Sequence, residues 1–218
     1  MLPEWLRSRI VFQGAEVLIL DKPAQLAVHA GPKGGPSLED WLPLLRQGKR
    51  HLPQPAHRLD ADTAGCLALG RTKPALAALG RLFAEGRAGK TYWAVVTGEP
   101  AEDGVCEAPL LKRSSKAEGW RMVVDPKGDA ARTAWRVLGR GAGLAWVELR
   151  PRTGRTHQLR VHMAHLGHPI LGDARYGGPP GALHLLAREL VLPLDPEVRA
   201  TAPVPPHMRE AMTRCGWS

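Results

Sequence analysis

Short apolar runs, separated by turn residues, follow one another along most of this chain of 218 residues. In its first part, the run at 15–20 and the run at 66–69 predict buried strands. Ser37 can cap a short helix that ends near Leu45, because a serine oxygen accepts from the backbone N–H groups of a first turn. Thr72 can cap a second helix in the same way, and apolar residues at helical spacing follow it. The first part of the chain therefore predicts strands with helices between them.

After Gly89 the apolar runs follow one another more closely, with turn residues between them. These runs predict strands at 92–97, 105–111, 121–124, 131–138 and 144–149. Such spacing is typical of an antiparallel meander and not of alternating strands and helices. A helix is predicted from Thr156 to about Leu166 and a last strand near 183–192, whereas the Pro-rich segment 193–206 predicts extended chain.

Together these elements indicate an α+β fold, built from a mixed, mainly antiparallel sheet with flanking helices. No internal repeat and no change in composition divides the chain, and its length suffices for one large domain with a full core. We therefore predict a single domain over residues 1–218.

The charge balance is strongly basic, with 30 Lys and Arg against 21 Asp and Glu and a net charge of +9. Such a surplus favours a polyanionic partner, most commonly nucleic acid, although a basic genome composition gives the same bias. The three cysteines lie far apart, which argues against a disulfide framework and against a thiolate metal site. No signal-peptide pattern is present, and no apolar stretch approaches the ~18 residues of a membrane span. We expect a cytoplasmic protein without membrane attachment.

The stretch from His57 to Thr63 places the carboxylate of Asp60 two residues after the guanidinium of Arg58. Such a pair can be a nucleophile beside a cation that handles a phosphate or a base. It can also be the ion pair of an ordinary loop, and on this stretch alone the structural interpretation is the better one. Its meaning therefore depends on the rest of the chain.

A second dense stretch, from Arg150 to Met163, has four arginines within eleven residues. Most of them precede the predicted helix, whose free N–H groups and positive potential suit a phosphate. On a helix that begins near Thr156, Arg160 shares a face with Thr156 and His157. A solvated basic loop that caps a helix fits the same pattern.

Tyr92 and Trp93 are neighbours in the strand predicted at 92–97, so their side chains point to opposite faces. One ring can line a cleft while the other joins the core. For a single tyrosine, however, a core position with a satisfied hydroxyl is the commoner case.

Four histidines, His157, His162, His165 and His168, raise the question of a metal site. The stretch has no Glu at metalloprotease spacing and no nearby cysteine ligand. Imidazoles on a basic helix more often bind backbone carbonyls or solvent. A metal-dependent hydrolase stays an alternative, but we expect no metal.

Five stretches, taken in order, resemble the motifs of the pseudouridine synthases, specifically the ribosomal large-subunit type A family (RluA-type). They are Asp21-Lys22-Pro23 with Val28-His29; His57-Arg58-Leu59-Asp60 with Thr63 and Gly65; the strand from Lys90 to Gly98; Thr153 to His162 with Gly167 to Asp173 and Tyr176-Gly177; and Leu183-His184. These motifs extend over nearly the whole chain, and their order makes the resemblance specific. Gln25, Ala30, Ala64 and Gly70-Arg71 depart from the family pattern, but we assign chemistry to none of them.

The resemblance implies the isomerisation of uridine to pseudouridine within RNA, in a central catalytic cleft and without cofactor or metal. Asp60 matches the catalytic carboxylate, which acts on the sugar or on the base, and Arg160 matches its positive partner. An ion pair between them would keep Asp60 ionised and fix its geometry. Tyr92 matches the active-site tyrosine, whose ring can stack on uracil.

The resemblance also implies a set of substrate-binding residues. Arg58 matches the arginine linked to flipping of the target base, and Leu183 matches an apolar residue that packs against the uracil. Arg155 and Lys22 are weaker candidates, either for RNA contact or for support of the site.

The expected partner is structured RNA, either tRNA or large-subunit rRNA, and we expect a monomer. No separate N-terminal RNA-binding domain fits before the first motif. The main alternative is a non-catalytic RNA-binding or chaperone-like module on the same fold. The joint presence of Asp60, Tyr92 and Arg160 argues against that alternative, because binding alone requires no acid in a basic site.

Overall fold

The computed structural model describes residues 2–31, 34–115 and 119–218. The helices are α1 (Glu4–Arg7), α2 (Leu42–Leu45), α3 (Lys73–Ala84), α4 (Gln158–His165) and α5 (Pro206–Arg214), with 3-10 helices at Leu38–Trp41 and Ala174–Tyr176. The strands are β1 (Ile10–Gln13), β2 (Val17–Lys22), β3 (Gln54–Pro55), β4 (Ala64–Gly70), β5 (Gly89–Thr97), β6 (Asp103–Cys106), β7 (Leu110–Ser115), β8 (Gly119–Val124), β9 (Thr133–Gly141), β10 (Leu144–Pro151), β11 (Leu185–Leu192) and β12 (Val198–Thr201).

The chain folds into two compact units. The first unit contains Met1–Lys90 and Ala187–Pro203, and the second contains Thr91–Leu186 and Val204–Ser218. That the units act as the single domain predicted over residues 1–218, without a separate N-terminal RNA-binding domain, stays a prediction.

In the first unit, the strands predicted at 15–20 and 66–69 are confirmed as β2 and β4, which pair antiparallel. An additional strand that the sequence did not predict, β1, pairs with β2. The whole of β4 is buried, and α3 lies so close that a Cβ on Gly70 would come within 2.6 Å of the Leu76 Cα.

The predicted cap at Thr72 is confirmed, and the helix predicted after Ser37 begins at Leu38. The side chain of Thr72 accepts from the N–H of Ala75 at 3.2 Å, which places the start of α3 as predicted. At Ser37 the reciprocal contact is seen, because the carboxylate of Asp40 accepts from the Ser37 N–H at 2.9 Å. The helix that follows starts as a 3-10 helix and continues as α2 to Leu45.

In the second unit, the sheet has the order β5-β10-β9-β6, and its pairs are antiparallel. A separate hairpin is formed by β7 and β8. The single strand predicted at 105–111 is wrong, since β6 ends at Cys106 and β7 begins at Leu110. Pro109 has no N–H to give to a ladder, so the chain leaves one sheet there and enters the other.

The segment 193–206, predicted as extended chain, contains a strand, and a helix that the sequence did not predict follows it. The strand is β12, which pairs with β11, and the helix is α5. Met208, Ala211 and Met212 form the buried face of α5 at helical spacing. The end of α5 approaches β9 so closely that a Cβ on Gly139 would lie 1.9 Å from the Cys215 carbonyl oxygen.

No helix in the described ranges is both long enough and apolar enough to cross a membrane.

Candidate active site

In the first unit, Asp60 begins a tight turn that precedes β4. The N–H of Thr63 donates to the carbonyl oxygen of Asp60 at 3.1 Å, and the Thr63 side chain is buried. Two residues later, Gly65 has φ 112°, and a Cβ there would lie 2.3 Å from the carbonyl oxygen of Ala187. The turn therefore requires glycine at 65, which places the half-buried Asp60 at a fixed distance from the sheet.

Lys22, at the end of β2, ties this turn to the sheet. Its side chain is fully buried, and Nζ donates to the carbonyl oxygens of Pro23 at 2.8 Å, Leu26 at 2.7 Å and Ala61 at 3.0 Å. Burial lowers the pKa of Lys22 to about 8, and the charges of Asp60, Asp62 and Asp21 partly oppose this shift. Because that attraction is mutual, the ammonium favours the ionised carboxylate of Asp60.

His57 fixes the chain on the other side of Asp60. Its Nε2 accepts from the N–H of Ala68 in β4 at 3.0 Å, and its ring stacks on Phe83 of α3 with centroids 4.1 Å apart. Burial, and secondarily the charge of Lys90, lowers the pKa of His57 to about 3. A neutral ring is what the acceptor role of Nε2 requires, so His57 is a structural anchor of the motif.

In the second unit, Leu183 belongs to a hydrophobic cluster against which Tyr92 packs. The cluster is formed by β5, β10, α4 and the segment before β11, and the ring of Tyr92 packs against it, partly exposed. Trp93 points to the other face of β5, where its ring meets Trp146 edge to face at 4.9 Å. The predicted division of this aromatic pair between two faces is thus confirmed.

Arg160 lies on α4, within the same unit, and is buried. Its Nε donates to Oδ2 of Asp173 at 2.8 Å and its Nη2 donates to Oδ1 at 2.7 Å. The Arg160 Cζ lies 5.2 Å from the ring centroid of Tyr176. Within the second unit, Asp173 is therefore the carboxylate that binds Arg160.

The start of α4 differs from the prediction. The helix begins at Gln158, because His157 has the left-handed φ of 52°, so Thr156 does not share a helical face with Arg160. Gln158 explains this start: its Oε1 accepts from Thr153 Oγ1 at 2.6 Å and from the Arg155 N–H at 3.1 Å.

Gln158 also joins α4 to β9. Its Nε2 donates to the Thr133 hydroxyl at 3.0 Å, and this hydroxyl lies 2.9 Å from Nδ1 of His162. His162 Nε2 in turn lies 2.9 Å from the carbonyl oxygen of Ala108. This buried network fixes the rotation of α4 about its axis, and hence the direction of Arg160.

Three of the four histidines of this region, His157, His162 and His168, therefore have partners within the protein. Burial lowers the pKa of His162, and its ring nitrogens face a hydroxyl and a carbonyl. His168 Nδ1 lies 3.1 Å from the carbonyl oxygen of Thr97. Over residues 2–31, 34–115 and 119–218, no group of three His, Cys, Asp or Glu side chains could hold a metal ion.

The remaining candidates differ in exposure. Arg58 is exposed beside Asp60. Arg155 is also exposed, with Nε donating to the Ala130 carbonyl at 3.1 Å and Nη1 lying 3.7 Å from Asp129 Oδ2. Lys22 is buried under its three carbonyl bonds, which favours support of the site over contact with RNA.

The predicted residues thus fall into two groups. Lys22, Arg58 and Asp60 belong to the first unit, and the other predicted residues belong to the second, namely Tyr92, Arg155, Arg160 and Leu183. The ion pair of Asp60 with Arg160 stays a prediction.

Two residues of the second unit, Asp173 and Tyr176, belong to a quoted motif but were not assigned a role. One signal was available for Asp173, because it is the only acidic residue between Arg150 and Arg188. A single carboxylate in such a basic segment is expected to bind a nearby guanidinium.

Comparison with known proteins agrees with the motifs. The family model described as RNA pseudouridylate synthase matches residues 16–165. An uncharacterized RNA pseudouridine synthase of Zymomonas mobilis is 42% identical over 208 residues, covering 92% of this chain and 95% of that protein. The ribosomal large subunit pseudouridine synthase D of the same organism is 35% identical over 195 residues, covering 86% of this chain and 62% of that protein.

The fold has a counterpart among solved structures. The human protein RNA pseudouridylate synthase domain containing 4 superposes with a TM-score of 0.84 at 28% identity, covering 98% of this chain and 95% of that one. This similarity confirms the predicted α+β fold with a mainly antiparallel sheet. Because the family model matches most of the chain and a relative is similar over nearly all of it, the chain belongs to the RluA-type RNA pseudouridine synthases, which are isomerases.

Proposed function

We propose that this pseudouridine synthase isomerises one or more uridines in structured RNA through the carboxylate of Asp60. The observation that carries the proposal is the construction of the Asp60 turn. The catalytic motif of the family falls on a turn that Lys22, His57 and Gly65 hold in place, with a buried positive charge acting on Asp60. A fixed, ionised carboxylate is what attack on a sugar or base requires.

Tyr92, Arg160 and Leu183 are proposed to complete the chemistry. The partly exposed ring of Tyr92 lies on an apolar cluster that includes Leu183, a surface suited to stacking on a uracil. Stacking of one base on an aromatic ring contributes about 1–3 kcal/mol. Arg160 is proposed to act as the charge partner of Asp60.

Arg58 and Arg155 are proposed to contact RNA. Both guanidinium groups are exposed, and an exposed arginine binds phosphate without losing a buried ion pair. Arg58 lies two residues before Asp60 within the same motif, so it is the better placed of the two to enter the stack that a flipped uridine leaves. Lys22 is proposed to support the site from within.

For the substrate we propose large-subunit rRNA first and tRNA second. The order rests on a relative whose name states that it acts on the ribosomal large subunit, 35% identical to this chain. The net charge of +9 supports binding to either RNA, with an affinity that falls as salt rises. That the protein acts as a monomer in the cytoplasm stays a prediction.

The decisive experiment compares Asp60→Asn with Asp62→Asn, a matched carboxylate that is exposed two residues away. Isomerisation replaces the C5–H of uridine by a bond to the sugar, so RNA tritiated at C5 releases its label on turnover. We expect Asp60→Asn to slow release by at least about 1,000-fold and Asp62→Asn by less than about three-fold. Affinity for RNA, measured by filter binding, should change by less than about three-fold in both.

A fully active Asp60→Asn variant would refute the catalytic assignment. If the wild type binds RNA but releases no label from any rRNA or tRNA, the binding-module alternative is the better one. The substrate itself is identified by deleting the gene and mapping pseudouridines in total RNA by carbodiimide chemistry. Pseudouridine sites that disappear on deletion and return on complementation identify the substrate RNA.

A further inference from the structure

Asp173 orders the guanidinium of Arg160 within the second unit. The contact is bidentate, with N···O distances of 2.8 and 2.7 Å, which fixes both the position and the plane of the guanidinium. Only 7% of the Arg160 side chain and 1% of the Asp173 side chain are exposed, so water does not weaken the pair. Because Asp173 takes the edge formed by Nε and Nη2, a second carboxylate has to approach the edge formed by Nη1 and Nη2.

The backbone of Asp173 is itself held by hydrogen bonds to its neighbours in the turn. The Asp173 N–H donates to the Ile170 carbonyl at 3.0 Å, and its own carbonyl accepts from the N–H groups of Tyr176 at 3.1 Å and Gly178 at 2.9 Å. A Cβ on Gly178 would lie 2.3 Å from the Ile170 carbonyl oxygen, so the turn closes tightly. The turn therefore fixes the backbone position from which the Asp173 side chain reaches Arg160.

Tyr176 covers the face of the same guanidinium, with 5.2 Å between Cζ and the ring centroid. Its hydroxyl accepts from the Met122 N–H at 3.3 Å and lies 2.7 Å from Nδ1 of His157. Arg160 is thus held at one edge by Asp173 and at one face by Tyr176, while α4 is held by the Gln158 network.

We propose that Asp173 is a positioning residue for the isomerisation, acting through Arg160; this inference rests on the proposed function, in which Arg160 is catalytic. A buried ion pair is a poor means of stabilising a core, because apolar side chains of similar volume do as well or better. A preset guanidinium, in contrast, is useful where a carboxylate and a nucleotide have to be aligned.

The test is a double-mutant cycle with Asp173→Asn, Arg160→Lys and the double variant. Single-turnover tritium release is measured at saturating enzyme, and RNA affinity is measured separately. We expect each single variant to lower the rate constant by at least about ten-fold, with RNA affinity changed by less than about three-fold. The double variant should be about as slow as the slower single variant, because Asp173 acts only through the guanidinium.

Glu210→Gln is the matched control, since Glu210 forms an exposed ion pair with Arg214 in the same unit, and its rate should equal that of the wild type. If Asp173→Asn fails to fold by circular dichroism, Asp173→Glu keeps the charge and shifts the carboxylate, and it should fold and lose about ten-fold in rate.

Two results would overturn the inference. One is a double variant whose loss is the product of the two single losses, which marks independent, structural effects. The other is a folded Asp173 variant with wild-type rate. If either result is found while Asp60→Asn is inactive, only the role of Asp173 is rejected. If Asp60→Asn is active, the proposed function is rejected as well.

Discussion

The buried ammonium of Lys22 should hold the Asp60 turn, and Lys22→Met removes it while keeping a side chain of similar length. The substitution breaks the hydrogen bonds to the carbonyl oxygens of Pro23, Leu26 and Ala61. It also removes a buried charge that acts on Asp60. Loss of the hydrogen bonds lowers the free energy of unfolding, whereas removal of the buried charge raises it. Both changes should slow catalysis.

The magnitude follows from the pKa of Lys22, which burial lowers from 10.5 to about 8. A shift of this size corresponds to roughly 3 kcal/mol against the charged folded state at neutral pH. The three carbonyl oxygens that lose their hydrogen-bond donor cost roughly 5 kcal/mol together. Because Lys22→Met relieves the first cost and incurs the second, we expect a net loss of roughly 2 kcal/mol in the free energy of unfolding at about pH 7.

The sign of the pH dependence is also fixed. The pKa of Lys22 is lower in the folded chain than in the unfolded chain, so protonation favours unfolding. This destabilisation is complete below pH 8 and disappears as the pH rises to about 10.5. The stability of the wild type relative to Lys22→Met should therefore grow by roughly 2 kcal/mol between about pH 7 and pH 10.

Urea unfolding at several pH values and single-turnover tritium release measure the two effects. Ala61 is adjacent to Asp60, so the loosened turn should slow Lys22→Met by at least about ten-fold, with RNA affinity within about three-fold of wild type. Lys73→Met is the control, because Lys73 is exposed at the start of α3, and it should match the wild type in both assays. A variant with normal rate but weakened RNA affinity would show that Lys22 binds RNA directly. A pH-independent difference would refute the linkage.

Two further substitutions test backbone geometry near the site. Gly65→Ala should lower the melting temperature by roughly 6–12 °C, because its Cβ would lie 2.3 Å from the Ala187 carbonyl oxygen. The control Gly80→Ala, which has open space around its Cβ, should not lower the melting temperature. An unchanged melting temperature for Gly65→Ala would show that this close approach is wrong. Gln25→Gly should raise the free energy of unfolding, measured with urea, by about 0.5–1 kcal/mol, because Gln25 has a left-handed φ of 64°. The control Ala24→Gly should lower that free energy by a similar amount. A less stable Gln25→Gly variant would contradict backbone strain at Gln25.

Features set by neighbours in sequence could be predicted, since their causes are local. The cap at Thr72 and the start of α3 depend on a side chain and an N–H three residues apart. The buried strand β4 follows from a continuous apolar run. The reciprocal contact of Ser37 with Asp40 is equally local.

Departures from the family pattern were visible in the sequence, but their causes were not. Gln25 departs from that pattern, and only the structure shows that its backbone is left-handed, a conformation that favours glycine. Arg71 donates to the Gly14 carbonyl at 2.7 Å and to Gln47 Oε1 at 3.2 Å. These partners lie 57 and 24 residues away in sequence, beyond the range of periodicity or spacing.

The binding of Arg160 by Asp173 shows the same limit within the candidate site. The motif placed Arg160 on a helix, but its direction depends on the left-handed His157 and on the Gln158 network. The helix α5 was not predicted, because the prolines of 193–206 favour extended chain, although a proline in the first turn of a helix is tolerated.

The structure divides the positive charge of the chain into two classes that composition counts alike. Lys22 and Arg160 are buried, and both donate to oxygen atoms of the protein. Lys22 donates to three backbone carbonyls, and the contacts of Arg160 include the carboxylate of Asp173. Arg58 and Arg155 are exposed. Buried cations of the first class position other groups and release no counterions when RNA binds, whereas exposed cations contribute to the salt dependence of affinity. The 30 Lys and Arg of the chain therefore include cations, such as Lys22 and Arg160, that add to the net charge but not to the salt-dependent binding of RNA.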